Sequence, residues 1–211
     1  MMAKLKIKGE LTTTQIVTVV ILILSFAVIL FFIYQLGFKE QSQREICRNS
    51  VELKAKDILG VGSLNCRTEY LCLTSGEKCT EDLSAKVVKV NDKEAVKQIA
   101  DAIYDCWWQY GQGEKEFVSW GTNRIGNPKE CGICNQVYLN GIDFEKQDIL
   151  EYISSNKEIT LKNSLIIPEG FNFNMNFVIL YEVEQEGQQQ ISVNYIDKIK
   201  EQQCDGFFNL A

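Results

Sequence analysis

The sequence predicts an α+β domain carried outside the cell on a single N-terminal membrane helix. Three observations predict it. Residues 11–38 contain no charge, and their core, residues 16–34, is almost wholly apolar. All eight cysteines follow that run. Beyond it, helix-period apolar stripes give way to strand-like alternation towards the C terminus.

The anchor comes first. Nineteen residues rising ~1.5 Å each span nearly the ~30 Å hydrocarbon core of a bilayer. The run is apolar on every face, which argues against a core helix of a soluble protein. A cleaved secretory signal has an apolar core of roughly 7 to 15 residues and ends in small residues. This run is longer and leaves through Tyr34-Gln35-Leu36-Gly37-Phe38. Lys4, Lys6 and Lys8 precede it with Glu10 as the only acid, whereas the far flank mixes Lys39, Glu40, Arg44 and Glu45. The positive-inside rule then places the N terminus in the cytoplasm. The expected organisation is a cytoplasmic flank at 1–15, a transmembrane anchor at 16–38 and an extracytoplasmic domain at 39–211.

With no proline from Thr12 to Ile58, one long helix is expected to continue from the anchor and dock its outer half on the domain. Gly60 to Ser63 ends it. Next, Cys72 to Cys79 reads as a hairpin with Ser75-Gly76 at the turn. Directly opposed Cα atoms lie ~4.5 to 5.5 Å apart, within disulfide reach, so a Cys72–Cys79 bond is expected. Residues 85–90 read as a strand. Asn91 then caps a helix, with Glu94 completing a capping box. Val96, Ile99, Ala100, Ile103, Tyr104 and Trp107 form its apolar stripe, and Gly111 stops it. Residues 116–120 and 136–139 read as strands, and 144–154 as a helix capped by Asp143. From Phe171 to Val183 apolar residues alternate with Asn172, Asn174 and Asn176, the period of a strand with one buried face. Ile191, Val193 and Tyr195 continue it after Gly187. Pairing Val183 with Ile191 keeps both apolar sets on one face of an antiparallel sheet.

Cys47, Cys66, Cys72, Cys79, Cys106, Cys131, Cys134 and Cys204 are even in number and confined to the exported part, which reads as a disulfide framework. Cys131-Gly-Ile-Cys134 also has the spacing of a dithiol redox centre, in which one acidified thiol attacks and the other resolves. A structural zinc site wants two such close pairs, and only one is present. The chain has no histidine, which excludes histidine-bound catalytic zinc and the usual Ser-His-Asp or Cys-His catalysis. No catalytic residue, metal or cofactor is assigned. Among the aromatic residues, Trp108 lies off the helix stripe and is the candidate surface contact.

The chain holds 22 basic and 28 acidic residues. Leaving out Lys4, Lys6, Lys8 and Glu10 gives 19 against 27, a net −8 for the rest. That acidity disfavours nucleic acid as a partner. The expected partners are membrane lipid, through the anchor, and a protein or further copies of the chain.

Lys8-Gly9-Glu10-Leu11 before the apolar run resembles the processing site of archaeal class III, type IV pilin-like signal peptides. The resemblance implies cleavage between Gly9 and Glu10 and a helix that packs in a filament core. Thr14 stands at the fifth mature position, where bacterial pilins carry glutamate. The stretch Ala100-Asp-Ala-Ile-Tyr-Asp-Cys106-Trp-Trp, with Gly111-Gln-Gly113 and Cys131-Gly-Ile-Cys134, resembles a set of uncharacterised archaeal single-pass membrane proteins. It implies a shared cysteine-rich exported domain and no known activity. The expectation is thus an anchored surface protein with a structural or interaction domain. A processed pilin-like subunit and an exported thiol-disulfide oxidoreductase using Cys131 and Cys134 are its alternatives.

Overall fold

A computed structural model describes residues 13–35, 38–56, 63–76, 79, 85–118, 129–157, 159–184, 187–198 and 206–207. The chain divides into two compact units, residues 1–42 and 43–211. In the first, helix α1 (Thr13–Gln35) carries no charge, and residues 14–32 are exposed throughout. Two of its hydroxyls bond back within the helix. Thr18 donates to the Thr14 carbonyl at 2.9 Å and Ser25 to that of Ile21 at 2.5 Å. Residues 14–32, at a mean hydropathy of 2.9, are long and apolar enough to cross a membrane.

Helix α2 (Phe38–Lys56) follows. The expected continuity of one helix falls on residues 36–37, outside the described residues. Within the second unit, α2 turns Cys47 and Val51, one turn apart, into the core. Its docking on the domain agrees with the sequence reading.

The remaining elements are β1 (Glu69–Thr74), β2 (Lys86–Lys89), α3 (Asp92–Gln109), β3 (Lys129–Asn140), α4 (Lys146–Asn156), α5 (Ile159–Ser164), β4 (Leu165–Ile166), β5 (Phe177–Glu184), β6 (Gln189–Tyr195), a 3₁₀ turn (Ile196–Lys198) and β7 (Gly206–Phe207). The sheet runs β2-β1-β3-β5-β6-β4, and β7 lies along the part of β3 that β1 leaves uncovered. Its centre, β3-β5-β6, is antiparallel. Parallel pairs β1–β2, β1–β3 and β4–β6 extend it, so the sheet is mixed. The fold class is α+β.

Strand β5 is buried on both faces, which is why Phe177 to Val183 reads as nearly continuous apolar sequence. Phe177, Ile179, Tyr181 and Val183 join the main core with α3, while Val178 and Leu180 pack with Ile133 on the other face. α3 forms as its sequence directs. Asn91 Oδ1 accepts the Glu94 N–H at 2.9 Å, and Glu94 Oε2 accepts the Asn91 N–H at 3.2 Å. Ile99, Ala100, Ile103 and Trp107 lie buried along its stripe. Gly111, at φ +85°, leaves the helix by a conformation that suits glycine.

Four expectations need correction. Cys72 and Cys79 are bonded, with Cα atoms 6.4 Å apart, but not across a hairpin. The strands beside β1 are β2 and β3, both parallel to it, and the Ser75 N–H donates to the Asn140 carbonyl of β3. Residues 171–176 are not strand, because the asparagines hold turns instead. Asn172 Oδ1 accepts the Asn174 N–H at 2.8 Å, and Asn176 Oδ1 accepts the Leu139 N–H at 3.1 Å. Residues 114–118 are likewise irregular, with Phe117 buried against Tyr110; residues 119–120 lie outside the described residues. Finally, α4 starts at Lys146 with Glu145 at its cap, where Asp148 Oδ2 accepts the Glu145 N–H.

The β5–β6 register pairs Val183 with Gln189 and Tyr181 with Ile191. That differs by two residues from the expected pairing. A shift of two preserves the side-chain faces, so the expected sharing of one face holds.

Candidate functional site

The cysteines are the first candidate. Cys47–Cys66 fastens α2 to the segment leading into β1, and Cys106–Cys134 fastens α3 to β3. Cys131 is also disulfide-bonded, while Cys204 lies outside the described residues. The redox reading of Cys131 and Cys134 is therefore corrected. The β-strand that carries both sends Cys134 to α3 and Cys131, opposite Glu182, to the other face. Both are buried, so neither offers an accessible acidified thiol. Gly9 and Glu10 lie outside the described residues.

Trp108 is half-buried near the end of α3. The Arg48 guanidinium lies over its ring, 4.4 Å from the centroid, and donates to the Trp108 carbonyl at 2.9 Å. Arg44, one turn earlier on α2, pairs with Asp105 and, at 3.6 Å, with Glu69. Burial raises the Asp105 carboxyl above the ordinary range, and Arg44 only partly offsets that.

A second polar group sits within the sheet. Glu182 is buried and accepts from Lys129 Nζ at 2.9 Å, Gln190 Nε2 at 2.9 Å and the Ser192 hydroxyl. Lys129 also reaches Glu184 at 3.4 Å. Burial alone would lower the Lys129 ammonium, but its hydrogen bonds to the two glutamates outweigh that and raise it. A lysine held protonated and a carboxylate with three donors form a buried network in which the Ser192 hydroxyl is engaged as a donor to Glu182. Among the described residues no group of His, Cys, Asp or Glu is placed to hold a metal ion.

The third candidate is an open groove of about 550 Å³ between α3 and α4. Val96, Phe144 and Tyr152 supply its apolar surface, and Asp92, Glu94, Asp143, Asp148 and Glu151 its carboxylates, with Lys93 and Lys97 alongside. The loop before α4 closes one end, where the Asp143 N–H donates to Asp92 Oδ1 at 3.1 Å.

No known protein family, curated protein or solved structure matches the chain. The site must be read from its own chemistry. The groove residues escape a sequence reading because they come from segments about 50 positions apart. Asp143 carried a signal of its own as an expected helix cap, but Asp148 and Glu145 form that cap, which leaves the Asp143 carboxylate out of it.

Proposed function

We propose that the chain is a single-pass membrane protein whose disulfide-fastened domain works outside the cell as an interaction module, with its N terminus in the cytoplasm. The observation that carries this reading is the division of the chain. One uncharged helix exposes its apolar side chains throughout, and every described disulfide lies beyond it. Disulfides persist in oxidising compartments, and an apolar surface as large as that of α1 is stable only when covered by lipid or protein. The polar cluster around Glu182 is held by three donors and lies buried, which suits a structural role better than catalysis. Its partners are membrane lipid at α1 and a protein at the domain.

The test is labelling of intact cells with a membrane-impermeant amine reagent, followed by peptide mass mapping. Lys86 and Lys89, both exposed, should be modified, and Lys4, Lys6 and Lys8 should not. The reverse pattern would overturn the orientation.

A further inference from the structure

From the groove between α3 and α4 we infer that the domain binds a basic peptide segment of a protein partner. The inference rests on the interaction-module reading and names the partner's chemistry. The groove's volume, about 550 Å³, lies within the range of ligand sites and is too large for one side chain. Val96 and Phe144 are almost wholly buried and Tyr152 half-buried, so they present a firm apolar floor. Such a floor suits an aromatic or aliphatic residue, or the stem of a lysine or arginine lying against the Tyr152 and Phe144 rings.

The charge around that floor decides the class of occupant. Five carboxylates face two lysines. Three of the five already serve the helix starts: Asp92 holds the Asp143 N–H, Glu94 the Asn91 N–H and Asp148 the Glu145 N–H. With five carboxylates against two lysines, the groove's surplus charge is negative and disfavours an anion. The carboxylates of Asp143 and Glu151 have no hydrogen-bond or ion-pair partner among the described residues, and both residues are exposed at the groove. The complement is a short segment with an apolar or aromatic residue for the floor and basic residues beside it for Asp143 and Glu151.

The test uses the full chain in phosphatidylcholine nanodiscs, with empty nanodiscs as background. The probe is a fluorescein-labelled pentapeptide of alternating lysine and phenylalanine, and the control replaces each lysine with glutamate. The lysine peptide should bind saturably. Binding should weaken at least about fivefold in D143N/E151Q, the size expected for two lost surface ion pairs, and should weaken further as salt is raised. Tyr152→Ala should weaken it without any change of charge. Both acids are exposed, so the double variant keeps the wild-type thermal transition. Unchanged affinity in D143N/E151Q, equal binding of the glutamate peptide, or no saturable binding by the wild type would overturn the inference. Lysine labelling on intact cells decides the exported-module reading independently of these results.

Discussion

Removing the Cys106–Cys134 bond by C106A/C134A should destabilise the domain by about 3.6 kcal/mol. The bond closes a separation of 28 residues. A cross-link reduces the entropy of the unfolded chain by about 2.1 cal/mol/K plus 1.5R times the logarithm of that separation, or roughly 12 cal/mol/K here. At 25 °C that is about 3.6 kcal/mol, and for a domain of this size it lowers the thermal midpoint by roughly 7 to 14 °C. The same relation gives about 3.2 kcal/mol for Cys47–Cys66, with separation 19, and about 2.4 kcal/mol for Cys72–Cys79, with separation 7. Urea unfolding of each double variant, followed by tryptophan fluorescence, checks both the size and the order. Loss of less than about 1 kcal/mol in C106A/C134A would refute the reasoning that the bond restrains the unfolded chain.

Further outcomes follow from single sites. Asn91→Ala removes one half of a complete capping box and should cost about 1 kcal/mol in the same unfolding assay. Glu182→Ala leaves Lys129, Gln190 and Ser192 without their shared acceptor, and about 2 kcal/mol should be lost, because Glu184 still pairs with Lys129. Asp105 has a folded pKa above its ordinary 3.8, so the folded state holds this proton more tightly than the unfolded state. Its favourable contribution is full below pH 3.8 and is lost as pH rises through the folded value, and D105N should remove that part of the stability–pH slope. Cys131 is bonded, and the three described pairs use six of the other seven cysteines, so peptide mapping should join Cys131 to Cys204.

Local chemistry made some elements legible and long-range pairing hid others. α3 could be read in full, because Asn91, Glu94 and the stripe from Val96 to Trp107 all act within the helix itself. The apolar pattern through Phe177 to Val183 identified a strand, but not that it is buried on both faces where one was expected. Parity fixed the facing of β6 but not its register, since a two-residue shift leaves every side chain on the same face. Cys72 to Cys79 looked like a hairpin because Ser75-Gly76 is a turn sequence. Whether the neighbouring strand runs parallel or antiparallel has no signal of that length. Asn172, Asn174 and Asn176 matched a strand's period, while the side chains of Asn172 and Asn176 competed for backbone N–H groups and won. The groove is the extreme case: no window contains both Asp92 and Asp143, so neither its shape nor its charge exists until the sheet and helices have assembled.

The placement of the disulfides says what the domain must resist. A unit of residues 43–211 is large enough to bury a core without cross-links. The interior from Leu73 through Ile99 to Val193 is one continuous apolar cluster, with Cys106–Cys134 as a cross-link inside it. α2 is different. Between Gln43 and Lys56 its wholly buried residues are Cys47 and Val51, and Leu53 is 70% exposed. Burial on that scale, with half-exposed pairs such as Arg44–Asp105 and Arg44–Glu69, holds a helix only weakly. Yet α2 is the segment of the domain next in sequence to the apolar helix. Cys47–Cys66 turns its weak docking into a covalent one close to where the domain's own packing begins, so a pull on the N-terminal helix passes to β1 through the disulfide and bypasses residues 48–65. Reduction or C47A/C66A should therefore free α2 before the sheet opens. Hydrogen exchange would show this as lost protection over residues 43–56, with β3, β5 and β6 still protected. Simultaneous loss in both regions would mean that α2 belongs to the same cooperative unit as the core and that the bond serves the whole domain.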